Sequence, residues 1–330
     1  MKNLIKVLLI ITVFVTVSCQ KKAGDELTIP FEKYQLENGL SVILHEDKSD
    51  PIVSVAIYYH VGSNREVPGR TGFAHLFEHM MFQRSENVGE DQFFKYIEGA
   101  GGELNGGTSF DQTMYFEVVP RNALELAMWL ESDRMGFFIN SITSRLMAIQ
   151  QNVVQNERRQ SVDNSPYGFT DEVISRNMYP EGHPYSWTVI GEMEDLANAN
   201  LDDVRNFYDK FYGPNNATLV IAGDFNPDTV KILLDKYFGE IKSHGEVPQR
   251  TALPATLTET KKLFHEDNFA NVPEINIVWP VPESYSKDMY PLDFLGQILS
   301  EGKKAPLYKV LITEKQLTSS VSAYNSSSEL

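Results

Sequence analysis

The stretch "TGFAHLFEHMMF" (Thr71–Phe82) is apolar at nearly every position, yet it carries His75, Glu78 and His79 in its middle. A separation of four residues puts His75 and His79 on one face of a helix, one turn apart, and Glu78 lies beside them. Phe73, Ala74, Leu76, Phe77, Met80, Met81 and Phe82 cover the remaining circumference, which predicts a helix buried nearly all round, with Thr71 as its N-cap. Ionisable groups in such surroundings need a shared partner, because an unpaired buried charge is expensive. A divalent metal meets that need. Neutral imidazole nitrogens at helical spacing suit zinc, and the neighbouring carboxylate is left free to face water. The pattern His-x-x-Glu-His is the reversed form of the zinc-peptidase helix His-Glu-x-x-His.

Catalytic zinc usually takes three protein ligands. The candidate for the third is Glu157, in "LMAIQQNVVQNERRQS" (Leu146–Ser161). On a helix predicted from Thr143 to about Val162, Leu146, Ile149, Val153 and Glu157 fall on one side, so the Glu157 carboxylate extends an apolar stripe. A glutamate there is expected either to bind metal or to pair with an arginine, and Arg158 and Arg159 point elsewhere. A further informative stretch is "GGELNGGTS" (Gly101–Ser109). Its glycines weaken a strand unless something must approach the backbone closely.

Outward from these segments, "FEKYQLENGLSVILHED" (Phe31–Asp47) reads as a hairpin about Asn38-Gly39. Strands are expected at Ile52–Ser63, Glu103–Ser109, Thr113–Val119 and Asn216–Asp224. Helices are expected at Asp91–Glu98, Asn122–Phe137, Tyr167–Met178, Leu201–Tyr212 and Pro227–Phe238. A Pro/Gly/Thr-rich linker covers 243–260, and a new unit at 261–330 opens with strands near Lys261–Glu266 and Glu274–Trp279 and a helix at Met289–Leu299. Strands and helices interleave without a βαβ rhythm, which predicts an α+β fold.

The chain has 330 residues, 45 acidic against 29 basic, and a formal charge of −16. That balance argues against nucleic acid or an anionic membrane surface as a partner, since both are bound through Lys and Arg. At the N-terminus Lys2 and Lys6 precede an apolar run from Val7 to Val17 and then Ser18-Cys19. This predicts a signal peptide over residues 1–18 and a polar tether over 19–27. Cys19 is the single cysteine of the chain and has no partner for an internal disulfide. Its position resembles that of the acylated cysteine of a bacterial lipoprotein. The expectation is an exported, cell-envelope protein held to the membrane through a lipid anchor alone.

His75-Leu76-Phe77-Glu78-His79 and Asn156-Glu157-Arg158-Arg159 together resemble the pitrilysin/insulysin family of zinc peptidases in residue type, order and interval. The similarity covers most of Phe31–Phe238 and continues more weakly to the end. It implies one zinc per chain held by His75, His79 and Glu157, with Glu78 as general base in hydrolysis of peptides or unfolded segments. It also implies a mixed, largely antiparallel sheet flanked by helices in a catalytic domain at 28–242, and the start of a second similar domain at 261–330. The strand holding Asn105, Gly106, Gly107 and Thr108 resembles the family's exposed edge, to which a substrate adds as a further strand. Family members work as two halves, so a second pitrilysin-like half in cis or in trans is the implied partner. One position departs from the pattern: Gln150 stands where many members carry a supporting glutamate, two turns before the ligand. Some members lack the motif and serve as non-catalytic partner subunits, the competing reading.

Overall fold

The computed structural model describes residues 28–251 and 253–330. The expected signal peptide, the tether and Cys19 lie outside the described residues. Around Asn38-Gly39 the chain forms the expected hairpin of β1 (Glu32–Gln35) and β2 (Ser41–Glu46), paired antiparallel. Gly39 takes φ +90°, in the left-handed region that glycine enters without strain. The Asn38 amide then donates to the carbonyls of Phe238 and Ile241 at 2.7 and 2.9 Å, which pins the turn to the far end of the domain.

β3 (Ile52–Tyr59), β4 (Glu103–Thr108), β5 (Thr113–Pro120) and β6 (Ala217–Gly223) complete a six-stranded sheet in the order β1-β2-β6-β3-β5-β4. β2 and β6 run parallel and every other pair is antiparallel, so the sheet is mixed and largely antiparallel. Alternation sets its two faces. Val53, Val55, Ile57 and Tyr59 of β3 are buried, as are Tyr115 and Val119 of β5 and Leu219 and Ile221 of β6, while the residues between them are mostly half-exposed.

Helices cover the buried face: α1 (Phe73–Met80), α2 (Gln92–Gly99), α3 (Leu124–Phe137), α4 (Ser144–Arg158), α5 (Thr170–Met178), α6 (Met193–Asn198), α7 (Leu201–Phe211) and α8 (Pro227–Phe238). One core runs from Leu40 to Val247 through sheet and helices. No helix among the described residues is long and apolar enough to cross a membrane.

Three expectations are corrected. The strand from Ile52 ends at Tyr59, because Ser63–Arg65 coils into a short 3-10 turn that carries the chain back toward α1. The short helix α6 was not foreseen. The strands expected near Lys261–Glu266 and Glu274–Trp279 do not form, and only α9 (Met289–Ser300) and a π-helical turn at Tyr308–Glu314 are regular beyond α8 among the described residues. Alternating Ile275, Ile277 and Trp279 have the pattern of a strand but remain 85%, 69% and 69% exposed. A strand needs a neighbour to take its backbone hydrogen bonds, and no strand among the described residues pairs with it.

Candidate metal centre

The helix that carries the paired histidines starts differently from the sequence expectation. Thr71 is not its N-cap; that place belongs to Gly72, at φ +83°. Val67 and Arg70 bridge across Gly69, also left-handed at φ +81°, and this turn folds Glu66 back under the helix start. The buried Glu66 carboxylate accepts hydrogen bonds from the N–H groups of Gly72 and Ala74 at 3.0 and 2.9 Å, satisfying two donors that a helix start leaves open. Burial pushes the Glu66 carboxyl up to about 8, against the pull of those N–H groups. The Thr71 hydroxyl instead donates to Asp195 at 2.6 Å and accepts from the backbone N–H of Glu192 at 2.9 Å.

α1 packs against α4, and the two helices bring their polar atoms to one point. Nε2 of His75 and Nε2 of His79 are 3.3 Å apart, and Oε2 of Glu157 lies 3.6 Å from the first and 3.2 Å from the second. A tetrahedral zinc with ligand bonds of about 2.0–2.1 Å spaces its ligand atoms about 3.3–3.4 Å apart, so this donor set fits such an ion in kind and in spacing. It is the one such cluster of histidine, cysteine or acidic side chains among the described residues. His75 is 9% exposed, and desolvation, followed by the neighbouring His79, lowers its pKa to about 4. Its ring is therefore neutral near pH 7 and keeps a lone pair for a cation.

Glu78 lies beside the cluster without joining it. Its Oε2 accepts from the Thr108 hydroxyl at 2.7 Å, linking α1 to the outermost strand of the sheet. Burial raises its pKa, chiefly by desolvation; the Thr108 bond and His79 act in the opposite direction. Gly106 pairs with Tyr115 in the ladder and faces α1; a Cβ there would come within 3.0 Å of the Phe82 ring and 3.3 Å of Cγ of Glu78. Gly107 points the other way, with nothing within 4 Å of such a Cβ. Asn105 shares that second face, and its Oδ1 accepts from the N–H of Gly106. The four strand residues named from sequence therefore divide between two faces, and Thr108 alone of them touches a residue of the centre by hydrogen bond.

Glu157 does not extend a buried apolar stripe as expected. Ile149, Val153 and Glu157 form a flank that is 39%, 40% and, for the Glu157 side chain, 43% exposed. The buried face of α4 is Leu146, Met147, Gln150, Val154 and Arg158. Glu157 thus stands at the rim of the helix contact, where it meets the histidines, while Gln150 is packed away at 4% exposure. Arg158 and Arg159 do turn elsewhere, Arg158 to Glu172 and the carbonyl of Gly191 and Arg159 to Asn156. His183 is structural: Nε2 meets the carbonyl of Leu253, Nδ1 accepts from the N–H of Tyr185, and the ring stacks on Tyr179. Glu66 escaped sequence reasoning because its role depends on a fold-back turn. The glycines of "VPGRTG" (Val67–Gly72) were its sole trace.

Residues 41–183 match the family model described as Insulinase (Peptidase family M16), and residues 198–330 match that described as Peptidase M16 inactive domain. The chain is similar to the zinc protease PqqE of Helicobacter pylori, 32% identical over 302 residues covering 89% of this chain and 66% of that protein. A solved protease from Helicobacter pylori superposes with a TM-score of 0.79 at 30% identity, covering 92% of this chain and 73% of that one. The periplasmic protease PqqL of Escherichia coli shares the fold, with a TM-score of 0.63 at 21% identity over 70% of this chain and 26% of that one. The chain thus spans just under two thirds of the first relative and about a quarter of the last.

Proposed function

The chain belongs to the insulinase family of peptidases (peptidase family M16), and from that membership we propose that it is a zinc-dependent endopeptidase acting on peptides or unfolded polypeptide segments. The observation that carries this reading is the convergence of His75, His79 and Glu157 from two helices at the spacing of a tetrahedral site, with Glu78 alongside. All four residues fall in the part of the chain that matches the insulinase model.

In this proposal His75, His79 and Glu157 hold one zinc, which when bound supplies a Lewis acid that polarises water and a substrate carbonyl. Glu78 is the general base. Its partly buried carboxyl, raised from the ordinary range, takes a proton from water and returns it to the departing amine nitrogen. Thr108 holds that carboxylate against the sheet, so the proton acceptor sits beside the strand edge. β4 is the last strand of the sheet, and its outer edge can add an extended peptide through main-chain hydrogen bonds. Gly106, Gly107, Asn105 and Thr108 are proposed as that binding edge. Affinity drawn from backbone groups suits substrates of varied sequence.

Residues 28–242 form the catalytic domain in this reading, 243–260 the linker and 261–330 part of a second domain. Because the chain spans part of its relatives' length, activity is proposed to draw on a second pitrilysin-like half, in cis or in trans. Export and a lipid anchor at Cys19 belong to the same proposal, supported by the pattern from Lys2 to Cys19.

A non-catalytic partner subunit is the competing reading, favoured by the match of residues 198–330 to a model described as inactive. Zinc content and hydrolysis of a quenched peptide, measured on wild type and Glu78→Gln, separate the two. The peptidase reading expects one zinc in both proteins and at least about a hundredfold less hydrolysis in the variant. Zinc uptake without any hydrolysis by wild type, even when a second pitrilysin-like half is supplied, favours the partner subunit.

A further inference from the structure

Both helices that bear the proposed ligands are fastened to one strap, the chain from Ile190 through α6 to Ala199. At the α1 end, Thr71 is bonded to it three ways: its N–H and hydroxyl donate to Asp195, at 3.0 and 2.6 Å, and its hydroxyl accepts from Glu192. At the α4 end, the Arg158 guanidinium donates to the carbonyl of Gly191 at 2.8 Å and to Glu172 at 2.9 Å. Gln151, two turns earlier on α4, donates to the carbonyls of Leu196 and Ala199 at 2.7 and 3.1 Å. The strap and the start of α1 cross with backbone against backbone. A Cβ on Gly191 would lie 2.4 Å from Cα of Gly72, and one on Gly72 would lie 2.7 Å from the carbonyl oxygen of Ile190. Both glycines have positive φ, +76° and +83°, so no larger residue fits either position without moving the other chain.

We propose that this strap is the spacer that sets the distance between the histidine pair and Glu157, with Thr71 and Arg158 as positioning residues that touch neither the metal nor the substrate. The inference rests on the zinc reading of the centre. Its physical basis is that Arg158 follows Glu157 directly, so whatever holds the Arg158 side chain also fixes the last turn of α4 in azimuth and along its axis. Thr71, just ahead of the Gly72 cap, does the same for the first turn of α1, which carries His75. A forked guanidinium can hold Glu172 and the Gly191 carbonyl together, whereas a lysine ammonium is a single point charge on a flexible stem. Supporting residues of this kind typically change metal affinity about 10–100-fold when lost.

The test uses the whole chain as wild type, Arg158→Lys and Thr71→Val, with Gly191→Ala as a steric probe. Zinc affinity is measured by competition with a chromophoric chelator, the cobalt(II)-loaded protein is examined by visible spectroscopy, and the metal-free proteins are melted. Expected are one zinc in wild type, a loss of about 10–100-fold in affinity in Arg158→Lys and Thr71→Val, and an altered cobalt spectrum in both. Metal-free Thr71→Val gives up the two hydrogen bonds of the hydroxyl and should melt below wild type yet stay folded at the assay temperature, so that its weakened site cannot be ascribed to unfolding. Unchanged affinity and spectrum in both variants overturn the spacer, as does a weakening seen only in variants whose metal-free fold has melted at the assay temperature. A wild-type chain that takes up no zinc defeats the metal reading itself.

Discussion

Gly106 and Gly107 are identical neighbours in sequence and opposites in space. The first faces α1, where a methyl group would press on Phe82 and on Glu78; the second faces open space. Gly106→Ala is expected to lose about 1–3 kcal/mol of stability through overpacking. Gly107→Ala should hold level or gain up to about 1 kcal/mol by restricting the unfolded chain. Urea unfolding of the two variants reads this directly, and equal losses would contradict the assignment of faces. The glycine-rich strand was legible as a place of close approach, but sequence could not say which glycine is approached. That depends on the register of β4 against β5, which pairs Gly106 with Tyr115.

At the scale of elements, α1 is short, and its start is held by a side chain from outside the helix. Sequence rules put the cap on Thr71, the kind of residue that caps most helices. The fold uses Glu66 for the cap and Thr71 for the strap. Glu66→Ala would leave the N–H groups of Gly72 and Ala74 buried without a partner, so a loss of about 1–3 kcal/mol is expected. Thermal unfolding of the metal-free protein checks it. The remaining element boundaries were mostly legible, because alternation in β3 and β5 and the turn at Asn38-Gly39 are local signals. α6 was missed because six residues carry too little periodicity to register.

For the molecule as a whole, the least expected feature is a charged centre in the core. Glu117 of β5, and Glu131 and Arg134 of α3, are fully buried, and Arg134 lies 3.5 and 3.2 Å from the two carboxylates. Its guanidinium also sits over the rings of Phe82, Phe93 and Tyr115 at 4.7, 4.1 and 4.2 Å. Two carboxylates facing one cation would leave a net buried charge, and desolvation together with Glu131 holds Glu117 well above the ordinary carboxyl range. The folded protein therefore keeps a proton that the unfolded chain releases above its ordinary carboxyl value. Stability falls as pH rises through that window. Glu117→Gln removes the proton from the balance, so the stability difference between variant and wild type should shift in the variant's favour by about 1.4 kcal/mol per pH unit from pH 5 upward, while the folded pair stays protonated. Urea unfolding at several pH values measures it, and a pH-independent difference would mean that Glu117 is ionised in the fold.

Sequence by itself determined the α+β class, most of the strands and helices, and the two segments that meet at the candidate centre. Those are local matters: period two or period 3.6, a turn dipeptide, two histidines one helical turn apart. Tertiary structure alone decided what depends on distant segments meeting. It brought Glu157 to the rim of α4 rather than into a buried stripe, gave the cap of α1 to Glu66, tied both helices to the strap at Gly191, and placed Glu117 against Arg134. A side chain's chemistry is written in its residue type, but its partner is chosen by which backbones pack together.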